Sequence, residues 1–169
     1  MEPIFLVGFM GVGKTTIGKH LGEVLNLPVI DLDHFIEDRE KKTIKDIFHQ
    51  HGESYFRDLE KRVLLELGNE NAIITTGGGV VEREENRAFL QGNGFVFHLT
   101  CPFDALWGRL EGDKERPLVQ KNSKDQLMNL FERRFPLYES GSSVTIHTED
   151  KSVEEVVQEI LPYFEGKWV

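Results

Sequence analysis

With 169 residues, 39% of them apolar and 29% charged, the chain suits one domain with a real core. A net charge of -9 argues against a diffuse nucleic-acid binder, so anionic ligands must be met by locally placed Lys and Arg. The single cysteine, Cys101, excludes an internal disulfide and a cysteine metal cluster, no run approaches a membrane span, and no basic segment marks a signal sequence; the expectation is a soluble, unprocessed, cytoplasmic monomer.

Ile4-Val7 is the first strand candidate. It runs directly into Gly8-Phe9-Met10-Gly11-Val12-Gly13-Lys14-Thr15, a complete Gly-x4-Gly-Lys-Thr phosphate loop. The glycines let the backbone curl so that successive N–H groups face one phosphate, and the following helix adds its positive end. Lys14 supplies a mobile charge for the terminal phosphates and Thr15 a hydroxyl for magnesium. An ordinary glycine turn before a helix would not require all these positions in this order. Ile17, Leu21, Val24 and Leu25 form the apolar stripe of that helix.

The second strand candidate, Val29-Leu32, carries Asp31 and leads to Asp33. Residues two apart in a strand share a face, so both carboxylates are expected to project together. The third strand, Ala72-Thr75, runs on through Thr76 without an acid, which leaves Asp31 as the candidate for the metal shell. Asp33 is placed to orient an acceptor hydroxyl or take its proton; the plainer alternative is that it caps a helix beginning near His34. Thr43 and Asp46 have capping-box spacing before a helix near Ile47. Arg57 follows Tyr55-Phe56 in another helix, flanking its stripe of Phe56, Leu59, Val63 and Leu67 rather than lying on it.

Gly77-Gly78-Gly79 directly after the third strand leaves a bare backbone that a small ligand can approach; a flexible turn is the alternative. Phe95-Leu99 is the fourth strand. From Glu111 to Lys124 the chain is polar and aperiodic, with Gly112 and Pro117, and reads as a long loop. Arg116 within it favours a lid over a surface excursion. In the next helix, Arg134 continues the stripe of Leu127, Leu130 and Phe131, whereas Arg133 points about 100° away. An inward guanidinium suits a bound carboxylate or phosphate, with snorkelling or an internal salt bridge as alternatives. Val144-His147 is the fifth strand, and Ser152 with Glu155 caps a last helix along Val153, Val156, Val157, Ile160, Leu161 and Phe164. This alternation predicts an α/β fold with a parallel sheet covered on both faces and ligands at the carboxyl ends of its strands.

The set as a whole resembles shikimate kinase over nearly the whole chain. The resemblance rests on Gly8 to Thr15, Asp31-Leu32-Asp33, Gly52-Glu53-Ser54-Tyr55-Phe56-Arg57, the triple glycine, Arg116-Pro117-Leu118 and Arg133-Arg134-Phe135-Pro136-Leu137-Tyr138. It implies a three-layer P-loop kinase fold, with a five-stranded sheet in the order 2-3-1-4-5 like that of nucleoside monophosphate kinases. It further implies a single domain over 1–169 with a lid at about 111–124, and transfer of the γ-phosphate of ATP to the 3-hydroxyl of shikimate on the way to aromatic amino acids.

By that resemblance, ATP meets Gly11, Val12, Gly13, Lys14, Thr15 and Thr16, with Arg116 descending from the lid. Arg109 and Lys151 stand where the family often has a basic residue near the base, although the adenine end departs from the family pattern. Asp33 binds the substrate hydroxyls and acts as base beside Lys14 and Arg116. Arg57 and Arg134 hold the carboxylate, Gly77, Gly78 and Gly79 present backbone to the ring, and Phe48 and Phe56 pack around it. Thr15 and Asp31 reach Mg2+, the aspartate through water. Neither nucleic acid nor membrane is expected as a partner. A sister kinase for gluconate or another hydroxylated acid would share the phosphate loop but not the Phe56-Arg57, triple-glycine and Arg116-Pro117-Leu118 set. A non-catalytic nucleotide-binding module would be expected to lack Lys14, Asp33 or Arg116.

Overall fold

The structure, a computed structural model, describes residues 2–164, so both ends of the expected 1–169 unit lie outside the described residues. The first half runs β1 (Ile4–Val7), α1 (Lys14–Leu25), β2 (Val29–Asp31), α2 (Leu32–Glu40), α3 (Ile44–His51), α4 (Glu53–Leu67) and β3 (Ile73–Thr75). A 3-10 turn at Val80–Glu82 leads to α5 (Glu84–Gly92), β4 (Phe95–Thr100), α6 (Phe103–Leu110), α7 (Pro117–Lys121), α8 (Lys124–Gly141), β5 (Val144–His147) and α9 (Val153–Ile160), with a second 3-10 turn at Leu161–Phe164.

The five strands form one parallel sheet in the order β2-β3-β1-β4-β5. Ile4 of β1 aligns with Ile73 of β3 on one side and Phe95 of β4 on the other. Helices α1 and α9 pack together over the sheet, and α4, α5 and α8 form a second group. With helices on its faces, the central strand has no solvent side, and all four residues of β1 are fully buried. The outer strands depart from the expectation of burial on both faces: β2 is half-buried throughout, and β5 buries only Ile146, because an edge strand keeps one flank open.

Three local expectations are corrected. Val24 is 47% exposed; α1 meets the sheet through Ile17, Gly18, Leu21 and Gly22, which lets the helix lie close, and Val24 turns to solvent. Thr43 caps α3 by accepting from the Asp46 N–H at 3.1 Å, but Asp46, a methylene shorter than Glu, makes no return bond in the cap. The polar stretch 111–124 is not all loop. Pro117, pre-set for a first helical position, starts the short α7. Lys124 already belongs to α8, whose start is fixed by a full capping box of Ser123 and Gln126. The Ser152–Glu155 box is present as expected. Among the described residues no helix is long and apolar enough to cross a membrane.

Candidate active site

The turn after β1 carries Gly11 and Gly13 at φ +83° and +108°, left-handed conformations that favour glycine. Lys14 opens α1 and is only 9% exposed. It folds back over its own loop, with Nζ donating to the carbonyls of Gly8 at 2.5 Å and Phe9 at 3.1 Å. Burial pushes its pKa down to about 7, with Asp33 and Asp31 opposing and Arg116 and Arg134 adding to the fall. A cavity of about 520 Å3 opens over this loop. All the expected ATP residues line it: Gly11, Val12, Gly13, Lys14, Thr15 and Thr16 from the loop and helix, with Arg109, Arg116 and Lys151 around them. Arg109 donates to the Gly11 carbonyl at 2.7 Å, and Lys151 pairs with Glu159 at 2.5 Å.

The two aspartates meet by a route other than the one expected. β2 ends at Asp31, and Asp33 lies in the first turn of α2, so strand alternation does not relate them. Asp31, not Asp33, is the cap: its Oδ1 accepts from the His34 N–H at 3.0 Å, and its Oδ2 from the Thr75 hydroxyl at 2.9 Å. Asp33 is thereby left to the site. Its Oδ1 is buried without a partner. Burial raises its pKa to about 7, reinforced by the nearby carboxylates of Glu60 and Asp31 and opposed by Lys14 and Arg57.

A second cavity, of about 530 Å3, adjoins the first. Asp33, Arg57, Gly77, Gly78, Gly79, Arg116 and Arg134 line it, together with Phe48 and Phe56, whose rings lie 5.0 Å apart. The helix phase of α8 holds: Arg134 is 1% exposed, whereas the Arg133 side chain is 57% exposed. Neither inward arginine is bare. Arg134 Nε donates to Glu82 at 2.8 Å, and Arg57 donates through Nη1 to Glu60 at 2.8 Å and through Nη2 to Glu53 at 3.3 Å. The internal salt bridge weighed as an alternative therefore exists, but it does not exhaust Arg134, whose Nη1 is buried and unpartnered. Arg116 lies on the surface between the two cavities and pairs with Asp113.

Sequence periodicity did not single out Arg57, which is 7% exposed, because α4 buries a wider face than its apolar stripe. Glu60 is a further charged residue of the site, and its position four after Phe56 and three before Val63, on that stripe, is the sequence signal for it. It is fully buried, its Oε2 has no partner, and burial raises its pKa despite the Arg57 guanidinium beside it. Nothing in the sequence distinguishes the half-buried Glu82 from the exposed acids around it.

The triple glycine also serves a packing need. A Cβ at Gly77 would stand 2.9 Å from Asp33 Oδ1 and 3.3 Å from Glu60 Oε2. One at Gly78 would stand 3.3 Å from the Met10 nitrogen and 3.5 Å from Arg134 Nη1, and one at Gly79 would collide with the Arg57 guanidinium. The missing side chains make room for four charged groups of the protein itself, in addition to any ligand.

Among the described residues no three His, Cys, Asp or Glu converge on a metal position. Thr15 and Asp31 nevertheless line the first cavity together and offer hard oxygen donors, which suits an ion that keeps most of its water.

The family model for shikimate kinase matches residues 10–165. The chain belongs to the shikimate kinase family. Within that family it is 47% identical over 162 residues to the shikimate kinase of Persephonella marina, covering 95% of this chain and 98% of that one. It is 45% identical over 160 residues to a Bacillus cereus shikimate kinase, covering 95% and 96%. It also superposes on the shikimate kinase of Acinetobacter baumannii in complex with shikimate with a TM-score of 0.92 at 39% identity, covering 99% of this chain and 94% of that one. Shikimate kinase membership accounts for the order 2-3-1-4-5, which the sheet has.

Proposed function

We propose that this chain transfers the γ-phosphate of ATP to the 3-hydroxyl of shikimate, giving 3-phosphoshikimate and ADP. The observation that carries the reading is the shared wall of the two cavities: Met10, Asp31, Asp33, Gly77, Gly78 and Arg116 line both. A donor in one and an acceptor in the other meet at Asp33 without either having to travel.

The residues then divide the work. Lys14 leaves its loop carbonyls for the terminal phosphates, exchanging two neutral acceptors for charged ones. Arg116 exchanges Asp113 for the same phosphates as segment 111–124 closes as a lid on a single kinase domain. Arg57 and Arg134 hold the shikimate carboxylate, and Phe48 and Phe56 cover the ring. Asp33, once unprotonated, orients the 3-hydroxyl and takes its proton as the new O–P bond forms and the bond from the γ-phosphorus to the β–γ bridging oxygen breaks. Thr15 directly and Asp31 through water would hold Mg2+, which neutralises phosphate charge when bound. Arg109 and Lys151 are assigned to the nucleotide base. The same reading makes the chain a cytoplasmic monomer that uses neither nucleic acid nor membrane.

ADP release with shikimate, quinate, gluconate or no acceptor tests the substrate. Shikimate should be turned over at least about tenfold more efficiently than the others, because quinate and gluconate carry the same carboxylate but set their hydroxyls differently against Asp33 and the Phe48 and Phe56 rings. Faster turnover with gluconate would refute the assignment.

A further inference from the structure

Arg134 is the most deeply buried cation of the acceptor cavity, on a side chain with several rotatable bonds. Tyr138, one turn along α8, hydrogen-bonds the Arg134 side chain, and Nε is held separately. The 3-10 turn after the triple glycine is rigidly held: Val80 and Val81 are fully buried, Asn86 Nδ2 donates to the Val80 carbonyl at 2.9 Å, and Arg87 Nη1 donates to the Val81 carbonyl at 2.8 Å. Glu82 projects from this turn. Its Oε1 accepts from Arg134 Nε at 2.8 Å and its Oε2 from Arg133 Nη1 at 3.0 Å, so each oxygen has its own guanidinium. Glu82 does not line the acceptor cavity.

We propose that Glu82 is a positioning residue for the acceptor carboxylate: it holds Arg134 by Nε so that the guanidinium, whose buried Nη1 is unpartnered beside Gly78, stays at the cavity wall. This inference rests on the shikimate reading above. The need for such a clamp lies across the cavity. Glu60 Oε2 is buried and unpartnered, and Arg134 lies close enough to act on the Glu60 carboxyl electrostatically. Released from Glu82, the guanidinium would be drawn to that oxygen and would close the place where a substrate carboxylate binds. Arg133 completes the clamp from outside by holding the second oxygen of Glu82. Both arginines, by ion pairing and hydrogen bonding, keep the Glu82 carboxyl below the usual range against the effect of its partial burial, so it is charged when the site works.

The test is steady-state kinetics on Glu82→Ala, Glu82→Gln and Glu82→Asp, each alone and with Arg134→Lys. Glu82→Ala should raise the shikimate KM roughly tenfold, as for loss of one oriented charged contact, while the ATP KM moves less than about twofold. Glu82→Gln keeps an oxygen for Nε and should stay within about threefold of the parent; Glu82→Asp, which withdraws the carboxylate, should fall between and remains informative if the alanine variant does not fold. In the Arg134→Lys background, which has no fork to aim, the Glu82→Ala effect should shrink below about twofold. A Glu82→Ala or Glu82→Asp variant with unchanged shikimate KM overturns the proposal, as does equal weakening of ATP, or a glutamine variant as impaired as alanine. Failure of the underlying reading is distinct: there, Arg134→Lys alone would leave the shikimate KM unchanged.

Discussion

Gly79→Ala should damage acceptor binding without touching the phosphate loop. The added methyl would fall on the Arg57 guanidinium, which is 7% exposed and tied to Glu60 and Glu53. The side chain can yield only by leaving Glu60, a fully buried carboxylate with one oxygen already unpartnered. Loss of a charged hydrogen bond of this kind is worth about 1.5–3 kcal/mol, and breaking a buried pair can cost more, so about 3 kcal/mol of stability is a working figure. For a chain of this size, that corresponds to a fall in Tm of roughly 10 °C. Displacing one of the two arginines assigned to the carboxylate should raise the shikimate KM about tenfold or more. Gly78→Ala is the comparison: its nearest neighbours would stand at 3.3 and 3.5 Å, so a small adjustment suffices and the KM should change less. Gly77→Ala would press on Asp33 at 2.9 Å and should lower kcat most of the three. Thermal melts and KM and kcat for each variant read this out. A Gly79→Ala variant with parental Tm and shikimate KM, or equal effects at the three positions, would refute the packing account of the triple glycine.

Lys14→Ala should abolish most phosphoryl transfer in a folded protein, measured as ADP release; near-normal turnover would remove the loop from the mechanism. Arg116→Ala should lower kcat more than it raises the shikimate KM, because the exposed Arg116 is assigned to phosphates and engages only on closure; the reverse pattern sinks the assignment. With saturating ATP, whose phosphates should keep Lys14 protonated, kcat/KM for shikimate should rise with pH through about 7 as Asp33 loses its proton, and Asp33→Asn should lack that rise. Folded Asp33 keeps its proton up to about 7, whereas an unfolded aspartate releases it near 3.8, so its contribution to stability falls as pH rises through that window. Asp33→Asn should therefore gain more Tm relative to the parent at pH 8 than at pH 5; a larger gain at pH 5 would show that Asp33 is not held protonated by burial.

The order of elements was legible because apolar runs and helical stripes encode it locally, and β1 and β5 have the bounds their sequences suggest. Arg134 was legible too, since one helix phase decides whether it points inward. Asp33 does not follow from strand alternation: β2 ends at Asp31, one residue sooner than the sequence suggests, and the side chain is aimed by a helix turn. Arg57 required the family resemblance, and Glu82 could not be seen at all, because its importance comes from a contact 52 positions away in sequence. Local patterns report which face of an element is buried; they do not report which charges face one another across a cavity.

The wall common to both cavities has a thermodynamic consequence. Asp33 and Arg116 border both spaces, so a charged ligand on one side would act on groups that the other ligand meets. Whatever factor ATP imposes on the affinity for shikimate, shikimate must impose on the affinity for ATP, and a substitution at Met10 can alter that shared factor while leaving each ligand's affinity for the otherwise empty protein nearly unchanged.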